Sequence, residues 1–474
     1  MKTNIVFLIF FTVVSSGFSQ TPHRYTFKDD SVKLERSGAS AESIDRLYEF
    51  FTKGHWGGHV RNYTMLTDHF GKTFETQYAN ATGMKIHFNT ANFHGFDIGI
   101  GGIFTFDVFS TDLGKRDEVA NSYPGFELQL FDVTNPDNRY DLDRLDELYI
   151  RYRFKNSEFI AGRHEIETPL VNQADGRMKP YAFQGLSFKF NEIPRTQIFA
   201  SYISHVSPRS TVEWYSLGES IGIYGQGRNP DGTPGDYHGF TQSYGLGILG
   251  LEHQLAKGLD AQIWGYHVQN VMNTAYGKLD YTIQLGEKWL LYSGVEGLIQ
   301  SQSGSGGSKD ESHSYVCQTD ENRLVGANLG ASYRGFDLSL NTLYLDDRGR
   351  FLFPREWGRE NFYVTMPRNR IEGMGGGNMY DIRLARKFKN GLTAVVDYAV
   401  FDGPGPNNAE LNKYAMPDYR QINFDVSYNF TGWLEGLKLH FLYVYKEALE
   451  LAAPEDIYYQ ANFNHYNLIA NINF

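Results

Sequence analysis

The strongest constraint on this chain is a two-residue hydrophobic period that restarts about every ten residues from Gly57 to the C-terminus. The cleanest stretch is Gln421 to Phe430. Ile422, Phe424, Val426, Tyr428 and Phe430 alternate there with Gln421, Asn423, Asp425, Ser427 and Asn429. Successive side chains of a strand point to opposite faces, so each segment has one apolar and one polar face. That pattern suits a water-soluble sheet with one wet face and equally a membrane barrel with a wet lumen.

The connections separate the two. Short turns fall at 89–95, 155–158, 191–195, 255–260, 286–288, 334–335, 389–391 and 431–436. Between them run polar loops at 68–83, 110–143, 165–181, 207–242, 301–322, 346–377, 402–419 and 446–460, with a shorter one at 271–274. Tight turns alternating with long loops characterise an outer-membrane barrel, whereas loops this long and numerous do not fit a compact soluble domain. Eight turns and nine loops predict an all-β fold, a transmembrane antiparallel β-barrel of 18 strands. The first two strands, near 59–67 and 84–88, and the one near 289–299 alternate weakly, so the count holds to within two.

Charge supports a hydrated interior. Glu147, Arg151, Arg153, Asp381, Arg383 and Lys387 share the polar faces of their strands, and a dry core would charge several kcal/mol for each unpaired ion. The abundance of Tyr (32), Phe (35) and Gly (49) favours strands and turns over helices. Phe88, Phe109, Phe154, Phe190, Phe388, Tyr398 and Trp433 fall at strand ends, where aromatic girdles sit. The last strand carries Tyr466, Leu468, Ala470, Ile472 and the terminal Phe474 on one face. It is placed to zip against the first strand and close the barrel, and it is similar to the terminal-aromatic signal read by the barrel-assembly machinery.

The N-terminus reads differently. Lys2 precedes an apolar run from Ile5 to Val14 and the small residues Ser15, Ser16, Gly17 and Ser19, a secretory signal over 1–19. Residues 20–56 form an N-terminal periplasmic segment, with Ile44, Leu47, Tyr48 and Phe51 at helical spacing behind a Ser40 N-cap and Glu42. The barrel then occupies 57–474. No other apolar run approaches the length of a spanning helix. The expected location is the bacterial outer membrane, in contact with its lipid. Subunit interfaces alternate as lipid faces do, so an oligomer is compatible.

Other chemistries are excluded or discounted. Cys317 is the only cysteine, which removes disulfides and thiolate metal sites; it lies in a polar stretch without a catalytic motif. A net charge of -11 opposes nucleic-acid binding. Gly245, Gly247 and Gly250 match GxGxxG inside an alternating strand, not before a helix. Asp132, Asn135, Asp137, Asn138, Asp141 and Asp143 crowd one loop with oxygen donors but lack EF-hand spacing, so a solvated loop outweighs a Ca²⁺ site. His164 and Glu165 do not form HExxH. No cofactor is expected.

Gly162-Arg163 followed by Thr168-Pro169, then Asp175-Gly176-Arg177 and Pro180, resemble the third-loop motifs of the OprD-type outer-membrane porins. Residues 58–63 and 93–102 are similar to that family's first strand and to its first turn with the third strand. The resemblance implies an eighteen-stranded barrel whose third loop folds inward to narrow the pore. It also implies a basic ladder guiding carboxylates, with Arg151, Arg153, Arg163, Arg177, Lys189, Arg383 and Lys387 as its substrate-binding counterparts here. A row of such groups offers charge-assisted steps weak enough to release an anion. Passive, substrate-preferring diffusion of small hydrophilic solutes, carboxylates or amino acids among them, is the expected function. An outer-membrane enzyme or an adhesin is the alternative. Energy coupling is not expected, since no plug-sized segment precedes the first strand.

Overall fold

A computed structural model describes residues 46–174, 176–318 and 320–474. The expected signal segment, Ser40, Glu42 and Ile44 lie outside the described residues.

One antiparallel sheet closes on itself. In chain order it comprises β1 (His55–His69), β2 (Gln77–Asn89), β3 (Phe96–Ser110), β4 (Arg144–Phe154), β5 (Ser157–His164), β6 (Ala182–Phe190), β7 (Thr196–Ser207) and β8 (Tyr215–Ser216). It continues through β9 (Leu246–Ala256), β10 (Leu259–Val268), β11 (Met272–Leu285), β12 (Trp289–Gln302), β13 (Asn322–Tyr333) and β14 (Phe336–Leu345). The last strands are β15 (Gly377–Lys387), β16 (Leu392–Asp402), β17 (Tyr419–Asn429), β18 (Leu437–Ala448) and β19 (Phe463–Asn473). Two-residue β8 only adds to one end of β7, leaving the wall with eighteen strands, each paired with its neighbour in the chain. β19 pairs with β1 from His59↔Asn473 to His69↔Phe463, which removes both sheet edges.

Burial alternates along each strand in the sense opposite to a soluble sheet. On β17, Gln421, Asn423 and Asp425 are buried while Phe424 and Val426 are exposed. The polar face therefore lines the interior and the apolar face meets lipid. All eight short turns stand where the alternation breaks. Near that rim Phe96, Tyr152, Phe154, Phe188 and Phe190 form a chain of rings with successive centroids 4.6 to 6.2 Å apart, an interfacial girdle.

One sequence expectation needs correction. Residues 68–83 are no long loop: β1 runs to His69, β2 starts at Gln77, and only 70–76 connect them. The polar run Asn80, Thr82 and Thr64 that resembles a loop is instead a cross-strand amide and hydroxyl cluster, Asn62 Nδ2 to Thr82 Oγ1 2.8 Å and Asn80 Nδ2 to Thr64 Oγ1 2.7 Å. The strand over Trp289–Gln302 is full length despite its weak alternation, because its glycines Gly294 and Gly297 blur the period.

Among the described residues, one short helix, α1 (Leu47–Thr52), precedes the wall. Its Phe50 packs with Ala91 against Phe93 and Ile98.

The hydrophobic core is inside the barrel, not between layers. Trp357, Phe362, Val364 and Met366, from the connection 346–376, cluster with Tyr266, Tyr276, Leu298, Met379 and Phe401 of the inner wall. A connection can enter the lumen only by burying such residues and satisfying its backbone there.

Candidate functional site

Three connections meet in the lumen. The third loop, 165–181, is held by Asn172, whose Nδ2 donates to the Arg359 carbonyl at 2.7 Å and whose Oδ1 accepts from the Arg359 backbone at 3.2 Å. The Asn361 N–H donates to the Pro169 carbonyl at 3.1 Å. From the opposite side the Arg177 carbonyl accepts from Arg61 of β1, and Arg177 Nη1 donates to the Phe126 carbonyl at 2.8 Å. The third loop is thus wedged between the connections 111–143 and 346–376.

The connection 346–376 crosses the pore. Its Tyr363 N–H donates to Glu296 of β12 at 2.7 Å and its hydroxyl to Asp280 of β11. The Thr365 carbonyl accepts from Arg383 of β15 at 3.0 Å, and the Pro367 carbonyl from Gln421 of β17 at 2.6 Å. Arg368 reaches Asn467 of β19 at 2.8 Å. Five wall strands spread around the barrel therefore anchor one loop, so the inward-folded third loop shares the constriction with a larger partner.

A cavity of about 780 Å³ opens between these loops and the connections 208–245, 403–418 and 449–462. Its lining includes ten basic residues, Arg116, Arg177, Arg209, Arg228, Arg355, Arg359, Arg368, Arg370, Lys413 and Lys446, against the carboxylates Glu372, Glu455 and Asp456. Arg368 lies over Phe126 at 5.0 Å and Arg355 over Tyr414 at 4.5 Å, which orients guanidinium planes without neutralising them. Glu372 ties Lys413 at 3.3 Å and Arg355 at 3.6 Å; these cations hold its carboxyl below the ordinary range although burial opposes them. Glu127 stands behind the cavity, accepting from Thr67 at 2.5 Å and Tyr459 at 2.5 Å, and burial pushes its carboxyl up. Lys179 donates to the Phe131 carbonyl at 3.0 Å. Burial, with Arg144 nearby, lowers its amine to about 7.

The residues singled out in the sequence occupy different places. Arg151 and Arg153 project inward from β4 and share Asp97, at 2.8 and 2.9 Å. Lys189 stands opposite Glu158 on the adjoining β5–β6 ladder. With Arg61 and Lys85 of β1 and β2 they make a mainly basic sector of wall, where Lys85 lies 2.7 Å from Glu147. Arg383 and Lys387 belong to another sector, on β15. There Asp337, Asp381, Asp397 and Asp425 face inward from β14 to β17, and Arg383 binds Asp397 at 2.5 Å. Arg177 lines the cavity. Arg163 does not face the pore. It pairs in register with Leu148 and Gln184, Leu148 is an exposed lipid-facing residue, and the Arg163 guanidinium lies 4.3 Å over the Trp214 ring. The motif placed it near the third loop, but strand parity turns it outward.

Sequence reasoning missed the cations of the 346–376 connection. The signal was present: Arg348, Arg350, Arg355, Arg359, Arg368 and Arg370 are interleaved with Phe351, Phe353, Trp357 and Phe362. A loop in open water has no use for that apolar content.

The sequence matches the family model for outer membrane porins of the OprD family over residues 50–350. No curated protein matches it. Among solved structures, Pseudomonas aeruginosa OpdK crystallised with vanillate superposes with a TM-score of 0.69 at 15% identity, covering 90% of this chain and 99% of that one. P. aeruginosa OccK9 (OpdG) gives 0.69 at 18% identity, over 90% and 100%. Acinetobacter baumannii OccAB2 gives 0.70 at 15% identity, over 90% and 99%. At such identities the likeness is one of fold, and it agrees with the eighteen-stranded wall derived above. Together the family match, the closed wall with its lipid-facing apolar belt and the loops folded into the lumen make this chain an outer-membrane porin of the OprD family, a channel for small solutes and not an enzyme.

Proposed function

We propose that this porin prefers small anionic solutes, carboxylates first among them. The observation that carries the reading is the cavity at the constriction, with ten basic residues, eight of them arginines, to three carboxylates in its lining. A cleft lined by one sign of charge focuses field lines and concentrates the oppositely charged solute. Below it, Arg151, Arg153 and Lys189 continue the path with partly paired cations, whose carboxylate neighbours keep each step weak enough for release. The separate acidic sector from β14 to β17 would hold the ammonium of an amino acid while its carboxylate follows the basic sector. Phe474, exposed at the end of β19 and bonded through its backbone to Gly58 at 3.0 Å, supports a role as the strand signal read during barrel assembly.

The test is reversal potential of the refolded mature chain in a planar bilayer under a KCl gradient. Chloride preference that falls when Arg116, Arg228 and Arg370 are replaced together by Gln supports the reading. Cation preference in the unmodified channel overturns it.

A further inference from the structure

α1 presents an apolar arc that the barrel covers only in part. At about 100° per residue, Phe50, Leu47, Phe51 and Tyr48 follow one another around one side of the helix. Arg46, Lys53, Glu49 and Thr52 occupy the other, where Lys53 and Glu49 pair at 2.8 Å. Phe50, at one border of the arc, is 7% exposed against Ala91. Leu47, Tyr48 and Phe51, the rest of it, are 64%, 60% and 58% exposed.

The position of this arc identifies what covers it. Phe50 rests partly on Ile98, which pairs in register with the lipid-facing Ile150. The following Gly54 fits against the ring of Phe88, where a Cβ would come within 2.2 Å. Trp56, 66% exposed, lies 4.8 Å from that same ring. Phe88 and Trp56 are register partners on the outer face. α1 therefore lies outside the wall at its turn-bearing rim, the periplasmic one in a porin, and its bare arc runs on from the aromatic girdle. An apolar face continuous with a lipid-facing belt, backed by a charged face, is the arrangement of a helix lying in the membrane interface.

We propose that α1 is an in-plane membrane anchor, its Leu47, Tyr48 and Phe51 side chains seated among the acyl chains and headgroups of the inner leaflet beside the barrel. α1 thus lies beside the wall, along the membrane and not across the pore mouth.

Single-cysteine variants L47C, F51C and E49C, folded into phosphatidylethanolamine and phosphatidylglycerol vesicles and spin-labelled, test this. Cys317 is buried, and burial with Asp320 nearby pushes its thiol up to about 11, so the unmodified protein serves as the blank. The expected result is that oxygen reaches labels 47 and 51 more readily than a water-soluble nickel chelate does, with the order reversed at 49. Equal access of the chelate to all three sites places the helix in water and overturns the proposal. Labels 47 and 51 shielded from both reagents overturn it in favour of cover by protein, from this chain or a second copy of it. These positions lie outside the strand ladder, so heat-modifiable gel mobility verifies the barrel in each variant, and Y48C repeats the reading at the border of the arc.

Discussion

Asp97 grips Arg151 twice across the β3–β4 ladder, accepting from Nη2 at 2.8 Å and from Nε at 3.1 Å, while its second oxygen lies 2.9 Å from Arg153. One buried carboxylate thus offsets two cations of the basic sector. Asp97→Asn keeps a hydrogen-bond acceptor and removes the charge, so the sector gains one net positive charge. A unit charge a few ångström from a permeating ion in hydrated surroundings is worth about 1 kcal/mol. The chloride-to-potassium permeability ratio is expected to rise by roughly two- to fivefold. A ratio that stays constant would remove this sector from the conduction path.

Arg163 supplies the contrasting case. Its guanidinium lies outside the wall over Trp214, with lipid-facing neighbours in register. Arg163→Gln is expected to leave reversal potential unchanged. An altered potential, in a bilayer of neutral lipid so that surface charge does not contribute, would show that the side chain senses the pore.

Asn172 joins the two loops that form the constriction. Its amide serves the Arg359 carbonyl and amide and the Thr168 carbonyl, the last at 3.1 Å. Asn172→Ala leaves buried backbone groups unpaired, at roughly 1–3 kcal/mol. Single-channel records are expected to gain frequent transitions to a larger conductance as the third loop separates from 346–376. Unchanged open-state noise would mean that the remaining bonds, Asn361 to Pro169 among them, suffice alone.

The wall was legible in the sequence because lipid imposes a rule on every strand: outward positions must be apolar, as at Ile382 and Leu384, while inward Asp381 and Arg383 meet water or each other. Turn positions followed because each short turn interrupts that period. The site was legible only in part. Arg151, Arg153 and Arg383 are strand residues, so parity predicts their direction but not that Asp97 and Asp397 hold them. Loop residues obey no period. Arg355 and Arg368 reach the pore through contacts with Glu372 and Asn467, more than a dozen residues away in sequence, and only the apolar content around Trp357 hinted at burial. The weakly patterned β2 shows the converse limit, since a polar outer position such as Thr82 can be paired with Asn62 across the ladder and pass for a loop.

Lys179 makes the third loop sensitive to pH. Its amine is buried against the Phe131 carbonyl and lowered from an ordinary 10.5 to about 7 by loss of hydration. Above pH 10.5 it is neutral whether the loop is docked or open. Between the two values the open loop binds a proton that the docked loop does not, so docking weakens as pH falls through this window and levels off below 7. A shift of this size corresponds to a few kcal/mol, with an upper slope of about 1.4 kcal/mol per pH unit. Lys179→Met removes the proton site and retains most of the volume. Hydrogen exchange across residues 166–181, taken as the ratio of wild-type to variant protection, cancels the intrinsic pH dependence of exchange. That ratio is expected to rise between pH 7 and 9, by up to about tenfold per unit. A ratio flat over this range would mean that Lys179 keeps its proton when docked.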